Sequence, residues 1–400
     1  MVKTTNLKWR DNLNKTIIDF SRRDFLKKAA LGSLVLVGGQ KVFSEELKKR
    51  PKISEFSNNS GTGLGTGSTK RAAFSESNRK PAIHFSSIVI NHTCPFVFPA
   101  VTDDYLDSVR KGGITLSMST VASNHDFRGA INEIAAFYDR FEKDDKMLFV
   151  TQVEDIYKAK KEGKVGIGFH FQNSRPVEYD LRLIDVFYQL GVRVIQLTYN
   201  EKNMVGDGCT EITDSGLSKF GINMVKRMNK VGMVVDLSHV GYRTSMDALE
   251  VSEDPVLFTH SNAWSVLQSK RNIKDDQIKA LAKKRGVIGI NAFPFLGFVK
   301  KKEPTLDDLL DHVDYIANLV GTDHLGIGLD FSQCSVEDYK YWGYDPETYP
   351  MPPWIYPKNL EDVTKAPNFT KGLISRGYSE KDIKKILGEN FIRVYKEVWK

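Results

Sequence analysis

The sequence predicts an α/β protein built as a (β/α)8 TIM-type barrel. Short apolar, β-branched runs recur eight times, near 86–91, 113–119, 165–171, 192–198, 232–237, 255–259, 286–291 and 325–329. Segments with apolar residues at helical spacing separate them, the alternation expected of a parallel barrel. Polar residues suited to acid–base or metal chemistry follow the runs, and a parallel barrel gathers all its strand ends on one rim. With 400 residues, 41% hydrophobic and 11% aromatic, the chain can bury a core of that size.

The chain starts with a different kind of segment. Ser21-Arg22-Arg23-Asp24-Phe25-Leu26-Lys27 precedes an apolar stretch, Ala29 to Val37, that is too short to span a bilayer. Residues 1–43 read as a twin-arginine export signal rather than a basic amphipathic helix. The expected location is the periplasm, or the outer side of the inner membrane if the segment is retained as an anchor, since no clean Ala-x-Ala cleavage site follows. Only in that retained form is membrane contact expected. Nine Lys/Arg and three Asp/Glu in this segment account for +6 of the formal charge of +7. The nearly balanced remainder gives no electrostatic reason to expect a nucleic-acid partner.

Residues 44–80, rich in Lys, Ser, Asn and Gly, cannot bury enough apolar surface to order themselves and read as a flexible linker. Their glycines lack the flanking strand and helix of a phosphate loop. The folded domain is expected over 81–400. Within it, Ile222, Val225 and Met228 form one helical stripe, and Leu306, Leu309, Leu310, Val313, Ile316 and Ala317 another. Tyr339 to Pro357, rich in Trp, Tyr and Pro, forms part of a pocket wall or packs on the barrel. A terminal helical region begins near Ser379.

The polar residues at the strand ends are His92, Gln172, Tyr199, His239, His260 and Asp330. Two histidines in nearly matching contexts, Asp236-Leu237-Ser238-His239 and Phe258-Thr259-His260-Ser261, fall on adjacent strands and point to a shared ligand site. Neutral imidazoles with a carboxylate can hold zinc and leave a position for water, which suits hydrolysis. Asp330 is the natural carboxylate, able to ligate and to pass a proton to a leaving amine. Arg271 could grip a substrate carboxylate through its planar fork. His125 reads as a surface residue, and His84, His170, His312 and His324 as structural.

From about residue 165 to 331 the chain resembles the membrane (renal) dipeptidase family of metallopeptidases, in a divergent bacterial branch. The matching stretches are Leu190-Gly191-Val192-Arg193, Leu197-Thr198-Tyr199-Asn200, Gly216-Leu217-Ser218, Asp236-Leu237-Ser238-His239, Thr259-His260-Ser261, Arg271-Asn272 with Asp275, and Gly326-Ile327-Gly328-Leu329-Asp330. The resemblance implies a metal-dependent hydrolase barrel that cleaves small peptides. It makes His239 and His260 ligands of one zinc, Asp330 a ligand of another, and Arg271 a contact of the dipeptide carboxylate. Tyr199 and Asn200 fall on its substrate side.

Three departures shape the expected chemistry. Cys94 stands where the family has a carboxylate beside His92, Gln172 replaces the bridging glutamate, and Tyr199 replaces a histidine while keeping a donor for a developing oxyanion. One firmly held zinc on His239 and His260, helped by Asp330 and Gln172, is therefore expected over a pair that uses His92. Two rival readings stand: a hydrolase of another small amide, and an exported barrel that binds a small ligand without cutting it. Cys94 could pair with Cys334 in a disulfide or serve as a thiolate ligand. A homodimer is possible for such a barrel.

Overall fold

The computed structural model describes residues 81–94, 102–293, 303–332, 336, 339 and 351–400. The export segment, the linker and Cys334 lie outside them, as does much of the segment after Tyr339. Of the chain's two units, Met1–Ala73 and Phe74–Lys400, the second holds every described residue.

Nine parallel strands form one sheet: β1 (Ile90–Cys94), β2 (Leu116–Ala122), β3 (Met147–Phe149), β4 (Val165–Phe171), β5 (Val192–Gln196), β6 (Val234–Asp236), β7 (Leu257–Phe258), β8 (Val287–Ile290) and β9 (Leu325–Ile327). Pairing of β1 with β9 and of β2 with β4 closes eight of them into a barrel. The ninth, β3, stands outside the ring. It pairs with the first half of β4, Met147 opposite Val165, while β5 takes the second half, Phe171 opposite Ile195. Three residues are too few to show strand alternation, which hides β3 in the sequence.

The predicted first strand is displaced along the chain. Ser86, expected to open it, instead ends a short helix, α1 (Ala82–Ser86), and β1 begins at Ile90. His92 therefore lies within the strand, facing the barrel interior, rather than beyond its end.

The helical segments appear as α2 (Asp103–Lys111), α3 (Phe127–Lys143), α4 (Val153–Glu162), α5 (Arg182–Gln189), α6 (Lys219–Val231), α7 (Tyr242–Val251), α8 (Asp275–Lys283) and α9 (Leu306–Val320). Their ends follow local chemistry. Thr305 and Asp308 form a reciprocal cap on α9, and Gly232 closes α6 in the left-handed conformation that glycine adopts without penalty. Val225 and Met228 are buried on α6, as are Leu306, Leu309, Leu310, Val313 and Ile316 on α9. Among the described residues no helix is long and apolar enough to cross a membrane.

After β9 come α10 (Ala366–Ser375), α11 (Glu380–Lys384), a π turn (Lys385–Glu389) and α12 (Asn390–Val398). Phe391, Tyr395 and Val398 of α12 pack on Ile90, Leu116, Val234, Leu257 and Val287, residues that open their strands. Thus α12 stoppers the end of the barrel opposite the strand C-termini. Gly326 permits that closeness, because a Cβ there would lie 2.4 Å from the Phe391 ring.

Candidate active site

The C-terminal rim carries four residues of strained backbone. Thr93, Asn200, His239 and Asp330, at or just beyond the ends of β1, β5, β6 and β9, have φ of 69°, 57°, 61° and 55°. Non-glycine residues adopt this conformation rarely and at a cost, and such sites cluster where function requires them.

That strain turns His239 toward His260, leaving their Nε2 atoms 2.9 Å apart and both rings buried. The outer nitrogens are already committed. His239 Nδ1–H donates to Asn200 Oδ1 at 2.6 Å. Thr259 gives its single hydroxyl proton to Asp236 Oδ2 at 2.7 Å, so its oxygen can only accept from His260 Nδ1–H, also at 2.7 Å. Gln172 Nε2 donates to His260 Nε2 at 3.3 Å. Both Nε2 atoms are therefore unprotonated and close together, with the Gln172 amide sharing the His260 lone pair. Desolvation, then the nearby Arg271 charge, lowers both imidazole pKa values well below the usual range, so neither ring carries an extra proton between them.

Two unprotonated ring nitrogens this close form a pair of donors that one cation can bridge. Ligands at the usual zinc distances and tetrahedral angle sit about 3.3 Å apart, close to the separation here. Fixing Nδ1–H with a carboxamide or hydroxyl acceptor is how metal-ligating imidazoles are oriented. The donor set fits a borderline-soft divalent metal.

Asp330 is buried at the end of β9, its backbone carbonyl accepting from Tyr356 Oη at 3.0 Å. Burial pushes its carboxyl up to about 8, with Arg271 pulling the other way. Among the described residues no three His, Cys, Asp or Glu side chains come together to hold an ion. The structure thus brings His239, His260 and Gln172 together, with Asp330 outside that set. His92 lies in the barrel interior, its ring 5.3 Å from that of His170 and packed against Phe391 and Tyr395. Neither His92 nitrogen has a hydrogen-bond partner among the described residues.

Tyr199 stacks on His239, with ring centroids 4.3 Å apart and planes 22° from parallel. Asn200, behind the same imidazole, spends its side-chain oxygen on His239. Arg271 is buried, its guanidinium donating to Ser261 Oγ at 3.0 Å and to the His260 carbonyl at 2.7 Å. Cys94 and Cys209 are free thiols. Burial raises the Cys94 thiol to about 11, and its sulfur accepts from Asn91 Nδ2 at 3.1 Å, so it is held as a neutral thiol rather than a thiolate.

The histidines read as structural have structural partners: Thr370 and the Gly112 carbonyl for His84, the Ala263 amide for His312, the Gly286 carbonyl for His324, and Asp236 for His170. His125 is partly buried and accepts from the Ser123 amide within its own loop. The positioning residues Asp236, Thr259 and Thr93 had no role in the sequence reading. A signal was present, since Asp236 and Thr259 each precede a rim histidine in the two matched stretches.

Residues 106–400 match the family model for membrane dipeptidases, peptidase family M19. The chain belongs to this family. A dipeptidase of Claviceps purpurea, tcpJ, is 33% identical over 256 residues, covering 64% of this chain and 56% of that protein. An uncharacterized dipeptidase of Schizosaccharomyces pombe is 34% identical over 260 residues, covering 63% and 58%. The chain thus spans under three fifths of the length of these relatives. An amidohydrolase structure from Pseudomonas aeruginosa superposes with a TM-score of 0.74 at 34% identity, covering 79% of this chain and 98% of that one. A metallopeptidase from Rhodobacter sphaeroides, solved with a phosphinate mimic of L-Ala-D-Ala, shares the fold at 19% identity and a TM-score of 0.66. Membership of the membrane dipeptidase family implies a divalent metal.

Proposed function

We propose that the protein is a metal-dependent dipeptidase that cleaves small peptides or amides. The observation that carries this reading is the close pair of unprotonated His239 and His260 Nε2 atoms, each imidazole locked from behind. Zinc is the ion the donors suit, and one ion rather than two, because neutral Gln172 and Cys94 stand where a second dication would need carboxylates. When bound, it supplies Lewis acidity to water and to the scissile carbonyl.

The chain's own residues do the rest. Arg271, buried and hydrogen-bonded only to neutral groups in the described structure, is free to bind the carboxylate of a dipeptide through its remaining N–H bonds. Tyr199 holds the His239 ring by stacking and offers its phenol to charge developing on the carbonyl oxygen. Asp330, whose carboxyl burial raises to about 8, is suited to hold a proton for the leaving amine.

Metal content and dipeptide hydrolysis, measured on wild type and on a His239→Ala/His260→Ala variant, test the proposal. The variant should lose the metal and with it the activity. Wild-type protein that stays metal-free and inert after zinc loading would leave the rival reading, a barrel that binds a small ligand without cutting it.

A further inference from the structure

Beside His239 lies a cavity of 380 Å³, within the size range of small-molecule sites. Its buried wall includes His239, Ser261 and Arg271, and its exposed wall includes Tyr242, Lys270 and Lys274. Three cations line it and no Asp or Glu does.

The nearest carboxylates among the described residues stand outside the lining and bind hydroxyls, with no ion pair to these three cations. Asp276 accepts from the Tyr242 hydroxyl, and Asp275 accepts from Ser265 at 2.9 Å and Tyr315 at 2.8 Å. The cations rest on neutral groups. Lys270 donates to the Thr210 carbonyl at 3.1 Å, Lys274 lies over the Tyr242 ring at 4.4 Å, and Arg271 holds Ser261 and a backbone carbonyl. One substrate α-carboxylate on Arg271 satisfies the innermost charge and leaves two lysines on the wall of the same cavity. Like charges so arranged repel, and a second anion entering between them relieves that repulsion.

We infer that the enzyme selects dipeptides whose C-terminal residue has an acidic side chain, with Lys270 and Lys274 receiving the side-chain carboxylate while Arg271 receives the α-carboxylate. This rests on the dipeptidase reading above. Tyr242 offers an apolar flank to the methylenes between the two carboxylates. Because the lysines are partly solvated, their contribution is a preference and not an absolute requirement.

The test compares Ala-Glu with its neutral isostere Ala-Gln on the zinc-loaded full chain. Expected is kcat/KM about tenfold higher for Ala-Glu, expressed in KM rather than kcat and shrinking as salt is raised. In a Lys270→Gln/Lys274→Gln variant the ratio should approach one, and in Lys274→Glu the preference should turn toward Ala-Lys. Equal kcat/KM for the two peptides in wild type overturns the inference and leaves the dipeptidase intact. Should neither peptide be cleaved, titration calorimetry decides: tighter binding of Ala-Glu upholds the charge preference while the hydrolytic reading falls, and equal or absent binding overturns both.

Discussion

His239 and His260 owe their orientation to residues that need never touch a substrate. Asn200 anchors one ring, Thr259 and Thr93 the other, and Asp236 anchors Thr259 by accepting from its hydroxyl and its amide. Burial alone would raise the Asp236 carboxyl, but the hydrogen bonds from His170, Ser238 and Thr259 outweigh it and hold the pKa below the usual range. It is a carboxylate at any working pH. Asn200→Ala removes the acceptor behind His239 and leaves a buried N–H without a partner, so chelator competition should show metal affinity falling roughly 10- to 100-fold in a folded protein. Unchanged affinity would mean that ring orientation is fixed by Tyr199 stacking alone. The two histidines were legible in the sequence because like contexts at the ends of adjacent strands share a rim. The anchors were less so. Threonine and aspartate inside an apolar strand pattern read as ordinary barrel positions, and nothing in the identity of Thr93 or His239 announces a positive φ.

The eight ring strands are visible as apolar runs because each is covered on both faces and lacks polar alternation. Their limits are less so. The first run was expected over 86–91, but Ser86 ends a helix and the ladder begins only at Ile90. The terminal helix was expected from its position, but its place beneath the barrel was not, since a helical stripe does not name its partner. Phe391 of α12 is fully buried against the strand openings and the His92 ring. Phe391→Ala should cost about 3–5 kcal/mol by transfer and cavity terms, read from the urea midpoint. A loss near 1 kcal/mol would mean that α12 frays from the barrel without unfolding it.

For the molecule as a whole, the consequence of assembling these groups is a stability that depends on pH in an unusual shape. In metal-free protein, Asp330 binds a proton up to about pH 8, whereas an unfolded carboxyl does so only near 3.9. The native state therefore holds one proton more through that window, and stability rises as pH falls from 8, by about 1.4 kcal/mol per unit. Below about pH 6.5 the unfolded chain begins to protonate His92, His239 and His260, which desolvation keeps neutral in the native state. Three protons, and part of a fourth on half-buried His125, now favour unfolding against the one on Asp330. Stability should fall with pH by at least about 2.7 kcal/mol per unit, the difference of two protons, giving a maximum near pH 6.5. Urea midpoints of chelated protein between pH 8 and 5 measure this directly. Asp330→Asn should erase the rise above pH 6.5 and steepen the decline below it, since the compensating proton is gone. A profile that keeps rising as pH falls from 7 to 5 would show that the imidazoles titrate freely in the folded protein, leaving only the Asp330 proton to set the slope. That would remove the neutral, closely paired imidazoles on which a metal site here depends.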